Sequence, residues 1–337
     1  DRTNTNLKVG IGTNLPQEQL QITKNFRLPA TTGATVGVIY SNAARLLHTY
    51  GVQNTFLGEN AGNFTTTSQG LTAIGESAMS TVIGAGHSNS TAVGYQAMMQ
   101  ANNGNDNSAL GYQALKGAID GDYNVAVGSQ ALSVNQQGSY NVVLGAQAGQ
   151  GVSYMQDSVV IGRNALRWGN GAHFNVVIGS SAMSNVLGIT EYNVAVGSQA
   201  LRDYQGIGGW GENTAIGYGS MSNHLTGRFN TAVGYGSMSS NQNGTYNTVV
   251  GFQAGNANGS RNVFIGAGAG GPGDDKLYIA NSAVIPPLIY GDFVTGNIGL
   301  GTITPLERLH IGGTGRMQFG DSGLSPGGKL RVNMDDT

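Results

Sequence analysis

Asn124-Val-Ala-Val-Gly128-Ser-Gln-Ala-Leu132 is followed, after a polar stretch, by Asn141-Val-Val-Leu-Gly145-Ala-Gln-Ala-Gly149. The same unit recurs along most of the chain: Asn, then Thr or Val, a small or apolar residue, an aliphatic, Gly, two variable residues, Ala or Ser, and Leu, Met or Gly. Its Gly falls at 58, 75, 94, 111, 128, 145, 162, 179, 197, 217, 234, 251 and 266, and eight of the twelve spacings are 17. A period held through thirteen copies marks a repeat architecture in which one unit cannot bury its apolar row but a stack can. Asn heads ten copies, with Gly70, Ser90 and Ser158 read as its replacements in the others.

Each preference has a physical reason. Val-Ala-Val is β-prone and too short for a helix before Gly ends it. Gly58, Gly111, Gly128, Gly145, Gly162, Gly179, Gly197, Gly217, Gly234 and Gly251 read as coil corners, where positive φ or close backbone approach is needed. Asn tolerates the left-handed region and suits the corner that opens a coil, and stacked Asn can form an amide ladder. The polar, Gly-bearing stretch after each Leu or Met reads as an outward loop. The expected coil is strand, Gly corner, shorter strand and loop. The expected fold is all-β, a parallel β-solenoid of about thirteen 17-residue coils.

The aliphatic before the Gly never fails: Leu57, Ile74, Val93, Leu110, Val127, Leu144, Ile161, Ile178, Val196, Ile216, Val233, Val250 and Ile265. These thirteen are expected to form the structural core of the coils. The preceding position is also apolar throughout, from Phe56 through Ala or Val to Phe264. A strand apolar on both faces is buried on both. One face fills the roll, and the other calls for a cover, for which a second copy of the chain is the expected source.

Four segments follow. Residues 1–50 hold Val9-Gly-Ile-Gly-Thr-Asn-Leu-Pro16 and a strand-rich lead-in, 51–271 the repeats, 272–297 capping strands, and 298–337 a second copy, Ile298-Gly-Leu-Gly-Thr-Ile-Thr-Pro305. Each copy reads as a strand, a Gly turn and a Pro-started helical turn leading into another strand. Leu277-Tyr-Ile-Ala280 and Leu288-Ile-Tyr-Gly-Asp-Phe293 read as strands that cap the stack.

The Asn-Thr-Ala-Val-Gly coil resembles the left-handed parallel β-roll of trimeric autotransporter adhesin heads. The 17-residue form, the Gly-Ile-Gly-Thr-x-x-Pro segments and the Leu-Tyr-Ile-Ala…Leu-Ile-Tyr-Gly-Asp-Phe stretch are more similar to bacteriophage tail fibres and related bacterial fibre adhesins. The resemblance implies a left-handed roll, an intertwined or side-by-side parallel homotrimer, and attachment to a receptor or surface. Many members of that family carry a C-terminal self-cleaving chaperone domain; the residues through Thr337 are read as lacking one, whether it was cleaved away or never there. The expectation is an extracellular fibre shaft or head, on a virion tail or alternatively on a bacterial surface or filament.

Composition agrees with a structural role. Gly supplies 56 of 337 residues and Pro only 7, without the strict period of collagen. A net charge of -2 gives no reason to expect nucleic acid. Cys is absent, which excludes disulfides and thiolate metal sites. No apolar run approaches the ~18 residues of a membrane span. The start at Asp1 reads as a piece of a longer chain.

Chemical motifs are weak. Gly266-Ala-Gly-Ala-Gly-Gly271 and Gly206-Ile-Gly-Gly-Trp-Gly211 match the dinucleotide fingerprint, as chance allows at this Gly content, and neither opens a helix. His48, His87, His173, His224 and His310 have no metal-ligand neighbour at helical spacing. Asp120/Asp122 and Asp274/Asp275 do not follow the coil period of a calcium roll. No enzyme, cofactor or metal is expected. Thr and Val mix at the second coil position, which breaks any flat Thr array for ice binding.

Tyr123, Tyr140, Phe174, Tyr192, Phe229 and Tyr246 precede coil-opening residues and are expected to stack as a corner ladder, with glycan stacking the alternative. Ligand contact is expected from loops that break the period. Those loops supply Arg202, Asp203, Tyr204 and Trp210 between Gly197 and Gly217, and Trp168 with His173 in a second loop.

Overall fold

The computed structural model describes residues 9–11, 13–15, 20–22, 24–82, 86–100, 102–117, 120–206 and 211–313. They contain strands, turns and bends and no helix. The chain forms two compact units, Asp1–Ser181 and Ala182–Thr337, so the boundary falls inside the repeats.

In the first unit, eight coil strands run from Thr55–Leu57 to Val176–Ile178. Each pairs in parallel with the next at equivalent positions, as Ala109 with Ala126 and Ala126 with Val143. The second unit holds five, from Val194–Val196 to Val263–Ile265, and Lys276–Ile279 adds one more parallel strand. Both units are therefore parallel β-solenoids with turns about 17 residues apart.

Asn stitches the coils. Asn124 Nδ2 donates to the Gly138 carbonyl of the next closing loop at 2.9 Å, and its Oδ1 accepts from Asn141 N at 3.2 Å and Asn141 Nδ2 at 2.9 Å. In the second unit Asn230 repeats this toward Gly244 and Asn247. All these amides are buried with their bonds made, the condition under which a buried polar group stabilises. Two expectations need correction. Asn does not itself turn the corner: the left-handed residue is the one before it, such as Tyr123 with φ 55°. In the second coil the Asn position belongs to Leu71, not Gly70, because Leu71 N bonds the Asn54 Oδ1 below it.

Gly128 shows what the corner demands. Its φ is +134°, and a Cβ there would sit 2.6 Å from the carbonyl carbon and oxygen of Gly145 in the next coil. Both conditions exclude a side chain. The leg after the corner is not a second strand. Gln130 and Leu132 take φ 58° and 51°, so their amides point alternately to the coil below, at the Tyr112 carbonyl, and the coil above, at the Ala148 carbonyl. Left-handed Leu or Met costs about 1–2 kcal/mol each, which burial of the side chain against its neighbours offsets.

The core is the reverse of the expected one. Ala73, Ala92, Ala109, Ala126, Val143, Val160 and Val177 are wholly or almost wholly buried, together with the Ala after each corner and the Leu or Met beyond it. In the second unit Ala195, Ala215, Ala232 and Val249 take the same inward place. The thirteen aliphatics before Gly lie on the outer face: Leu110 is 50%, Val250 42% and Val127 36% exposed. Parity decides this. With Asn turned inward to reach the loop, alternate residues of the strand follow it inward, and the aliphatic must face out.

The ends are filled by aromatics. Phe56 closes the first unit's first coil under the antiparallel strand Ala44–His48, where His48 lies 4.7 Å from its ring. Phe264 closes the second unit's last coil, edge-on to Tyr278, which is edge-on to Tyr290 of the antiparallel strand Ile289–Asp292. Antiparallel strands cap each stack and remove its open edge. The two Gly-Ile/Leu-Gly-Thr copies share one geometry. Val9–Ile11 pairs in parallel with Leu20–Ile22, and Asn297–Leu300 with Leu309–Ile311. Residues 302–308 connect the second pair as bends, not a helical turn.

Two predictions follow from these contacts. Asn124→Ala removes the buried acceptor of Asn141 N and Nδ2 and one of the two donors to the Gly138 carbonyl, which keeps Asn135 Nδ2 at 3.0 Å, so it should cost about 2–4 kcal/mol in a urea titration. Asn124→Ser should cost less, since Ser158 Oγ still accepts from Asn175 N at 3.1 Å; equal midpoints for parent and Ala variant would remove the ladder's role. The second concerns acid. Burial lowers the His87 pKa from 6.5 to about 4, against upward pulls from the Gly104 backbone and then Asp122, and burial lowers His224 too. The unfolded chain binds these protons first. The His87 contribution is thus complete above about pH 6.5 and is lost as pH falls toward about 4, worth about 3 kcal/mol, and His224 acts in the same direction. His87→Leu should flatten the decline in urea midpoint between about pH 7 and pH 5; an unchanged slope would contradict this.

Candidate functional site: the outer sheet face and its aromatic edges

The outward aliphatics before each corner Gly form a continuous apolar strip in each unit, beside a second outward row that is Val in some coils and Thr or Ser in others. In the first unit Val125, Val127, Val142 and Leu144 are neighbours on it through parallel pairing. In the second it runs through Val233, Val250 and Ile265, and ends in an open groove lined by Ile265, Gly266, Ile279, Ala280, Asn281 and Leu288. No layer of described residues covers the strip, and its aliphatics are part-exposed.

Aromatic ladders line both edges. The expected ladder before Asn is present: Tyr123 and Tyr140 stack at 5.2 Å, and Phe229 and Tyr246 at 4.8 Å, with planes 10° apart. A second ladder follows the corner Gly and was not anticipated. Tyr95 stacks on Tyr112 at 5.6 Å, and Tyr218, Tyr235 and Phe252 form a three-ring column. Its signal was an aromatic one place after Gly, repeated at the coil period. Stacked rings cover one another's faces, the surfaces on which a sugar would stack. Beside Tyr95 and Tyr112 in the first unit, Gln96, Gln113, Gln130 and Gln147 form an amide ladder, the Nε2 of each of the last three donating to the Oε1 of the Gln below at 2.8–3.3 Å.

The loop residues expected to meet a ligand separate into different environments. Trp168 is 48% exposed, but the Arg167 guanidinium lies 5.0 Å over its ring and the Gly151 backbone lies against it. The strand Trp168–Gly169 pairs with Gly151–Val152. His173 belongs to Gly171–His173, paired with Met155–Gln156, and meets the exposed Tyr154 edge-on at 4.6 Å. Arg202 and Asp203 form a part-exposed ion pair at 2.6 Å, tied to Asn223 and Asn185 of neighbouring coils. That pairing holds the Asp203 pKa below the usual carboxylate range despite burial, which acts the other way. Tyr204 is not a contact residue: it is buried, parallel to His224, and burial pushes its hydroxyl up to about 12. Trp210 lies outside the described residues.

Among the described residues no three His, Asp or Glu side chains stand together as a metal site, and no helix is long and apolar enough to cross a membrane. Compared with protein-family models, curated proteins and solved structures, the chain matches none.

Proposed function

We propose that the chain is a structural, adhesive segment of an extracellular fibre, a left-handed β-roll assembled as a parallel homotrimer in a phage tail fibre that attaches to its host. The observation that carries this reading is the uncovered apolar strip along each unit. Contiguous exposed apolar surface on a folded chain marks an interaction site, and a parallel sheet is normally covered on both faces. The Val9–Ile11 and Leu20–Ile22 pair adds support, since Val9, Ile11 and Leu20 are each more than half exposed. Two strands alone are marginal in water and gain a core when copies meet.

The same face would serve a trimeric bacterial surface adhesin or extracellular filament, which is the second reading. Receptor or glycan contact in either setting falls to side chains away from the strip, with Trp168 the most exposed of the loop candidates among the described residues. Binding to host cells, compared between parent, Trp168→Ala and Trp210→Ala, tests that assignment; equal binding by all three removes it.

Assembly has a direct test in two adjacent residues. Ile161 is on the outer face and Val160 in the core. Light scattering of the parent should give about three times 34.7 kDa. Ile161→Asp should fold but remain monomeric, because three carboxylates would meet in an apolar contact. Val160→Asp should fail to fold. A folded, stable parent monomer would end the trimer reading, and a trimeric Ile161→Asp would place the interface elsewhere.

A further inference from the structure

The two edges of the apolar strip differ from coil to coil, and the differences are complementary. The first edge is the left-handed residue before the Asn position, and the second is the residue after the corner Gly. In the first unit Tyr123, Tyr140 and Phe174 occupy the first edge where Ser129, Ala146 and Ser180 leave the second edge small. The order is reversed where Tyr95 and Tyr112 occupy the second edge, opposite Asn89 and Asp106. Between the coils of Tyr140 and Phe174, the coil of Val159–Ile161 carries charge in place of a ring: Asp157 on the first edge and Arg163 on the second, both exposed and neither in an ion pair among the described residues.

One chain cannot join its own edges. The extended Asn141–Gly145 stretch alone sets them roughly 13 Å apart. A second copy can. In a cyclic assembly the contact is heterologous, so the first edge of one copy meets the second edge of the next.

We propose that successive copies lock in register through these edges, each ring of one copy packing over the small or polar residue of the same coil in the next, and Asp157 pairing with Arg163. This rests on the assembly proposed above and adds what aligns it. A slip of one coil in one direction drives Tyr123 against Tyr112. A slip in the other separates Asp157 from Arg163 and leaves the carboxylate beside Ser180. An antiparallel pair centred on these coils sets the first edge against itself, ring on ring. Only the in-register parallel contact satisfies every coil from Tyr95 to Phe174. In the second unit Tyr192 faces Ser198 by the same rule, while the coils of Phe229 and Tyr246 carry rings on both edges, so contact there is aromatic on aromatic.

The chain has no Cys, which makes a clean background for crosslinking. Tyr140→Cys combined with Ala146→Cys, treated with a bismaleimide shorter than the intrachain span, should give a covalently closed trimer on a denaturing gel. Tyr123→Cys with Ser129→Cys is the second pair should the first fail to fold. Each single-Cys variant should stay uncrosslinked. Ala146→Tyr sets ring against ring and should raise the concentration at which the assembly dissociates at least about tenfold. Adding Tyr140→Ala should restore it. A trimeric parent with no intercopy product from either folded pair, crosslinked single-Cys variants, or an Ala146→Tyr variant that assembles like the parent would overturn the register while leaving the trimer standing. A monomeric parent would overturn both.

Discussion

The buried Asn side chain is the constraint on which each coil depends. A solenoid turn must leave its strand, run outward and return, and the carbonyls of the returning loop end up inside. Asn124 meets that demand with one amide: Nδ2 takes the Gly138 carbonyl, and Oδ1 takes the next Asn backbone. Because the acceptor lies in the following coil, the bond stacks turns as well as closing them. Ser90 and Ser158 keep the acceptor with a shorter arm, as Asn107 N and Asn175 N show by bonding their hydroxyls. Leu71 abandons it and is simply buried.

Once Asn points inward, the rest of the strand has no freedom. Ala126 must follow it in and Val127 must face out. The corner Gly then brings successive backbones so close that no Cβ fits, as Gly128 against Gly145 shows. Core volume is balanced locally. Phe56 fills the space that Gly62 leaves, and a Cβ on Gly62 would lie 2.4 Å from that ring. The outer face thereby becomes the apolar one with no cover, and an interior made largely of Ala frees the aliphatics to serve as interface.

The aromatic edges show how a repeat turns one sequence choice into a surface. At a fixed place in a fixed period, side chains must stack at the rise of the coil, and rings held about 5 Å apart cover each other's faces. The residue before Asn pays a backbone cost for its left-handed conformation, and a bulky Tyr or Phe in that region is uncommon. Its recurrence at Tyr123, Tyr140, Phe174, Tyr192, Phe229 and Tyr246 places ring surface beside the apolar strip.

The sequence by itself determined the period, the parallel stack, the Gly corners and the amide ladder, because each rests on a local backbone demand repeated at constant spacing. It also carried the two-faced apolar strand of Val125–Val127 and its neighbours. It did not determine which face is inside: alternation reports that two faces exist, and both were apolar. Only the tertiary structure decided that, through the inward turn of Asn and the strand parity that carries Ala109 and Ala126 inside with it and leaves Leu110 and Val127 outside. It likewise decided that Tyr204 is core while Trp168 is surface, since the path of a loop between coil strands is set by the coils it packs on and not by its own residues.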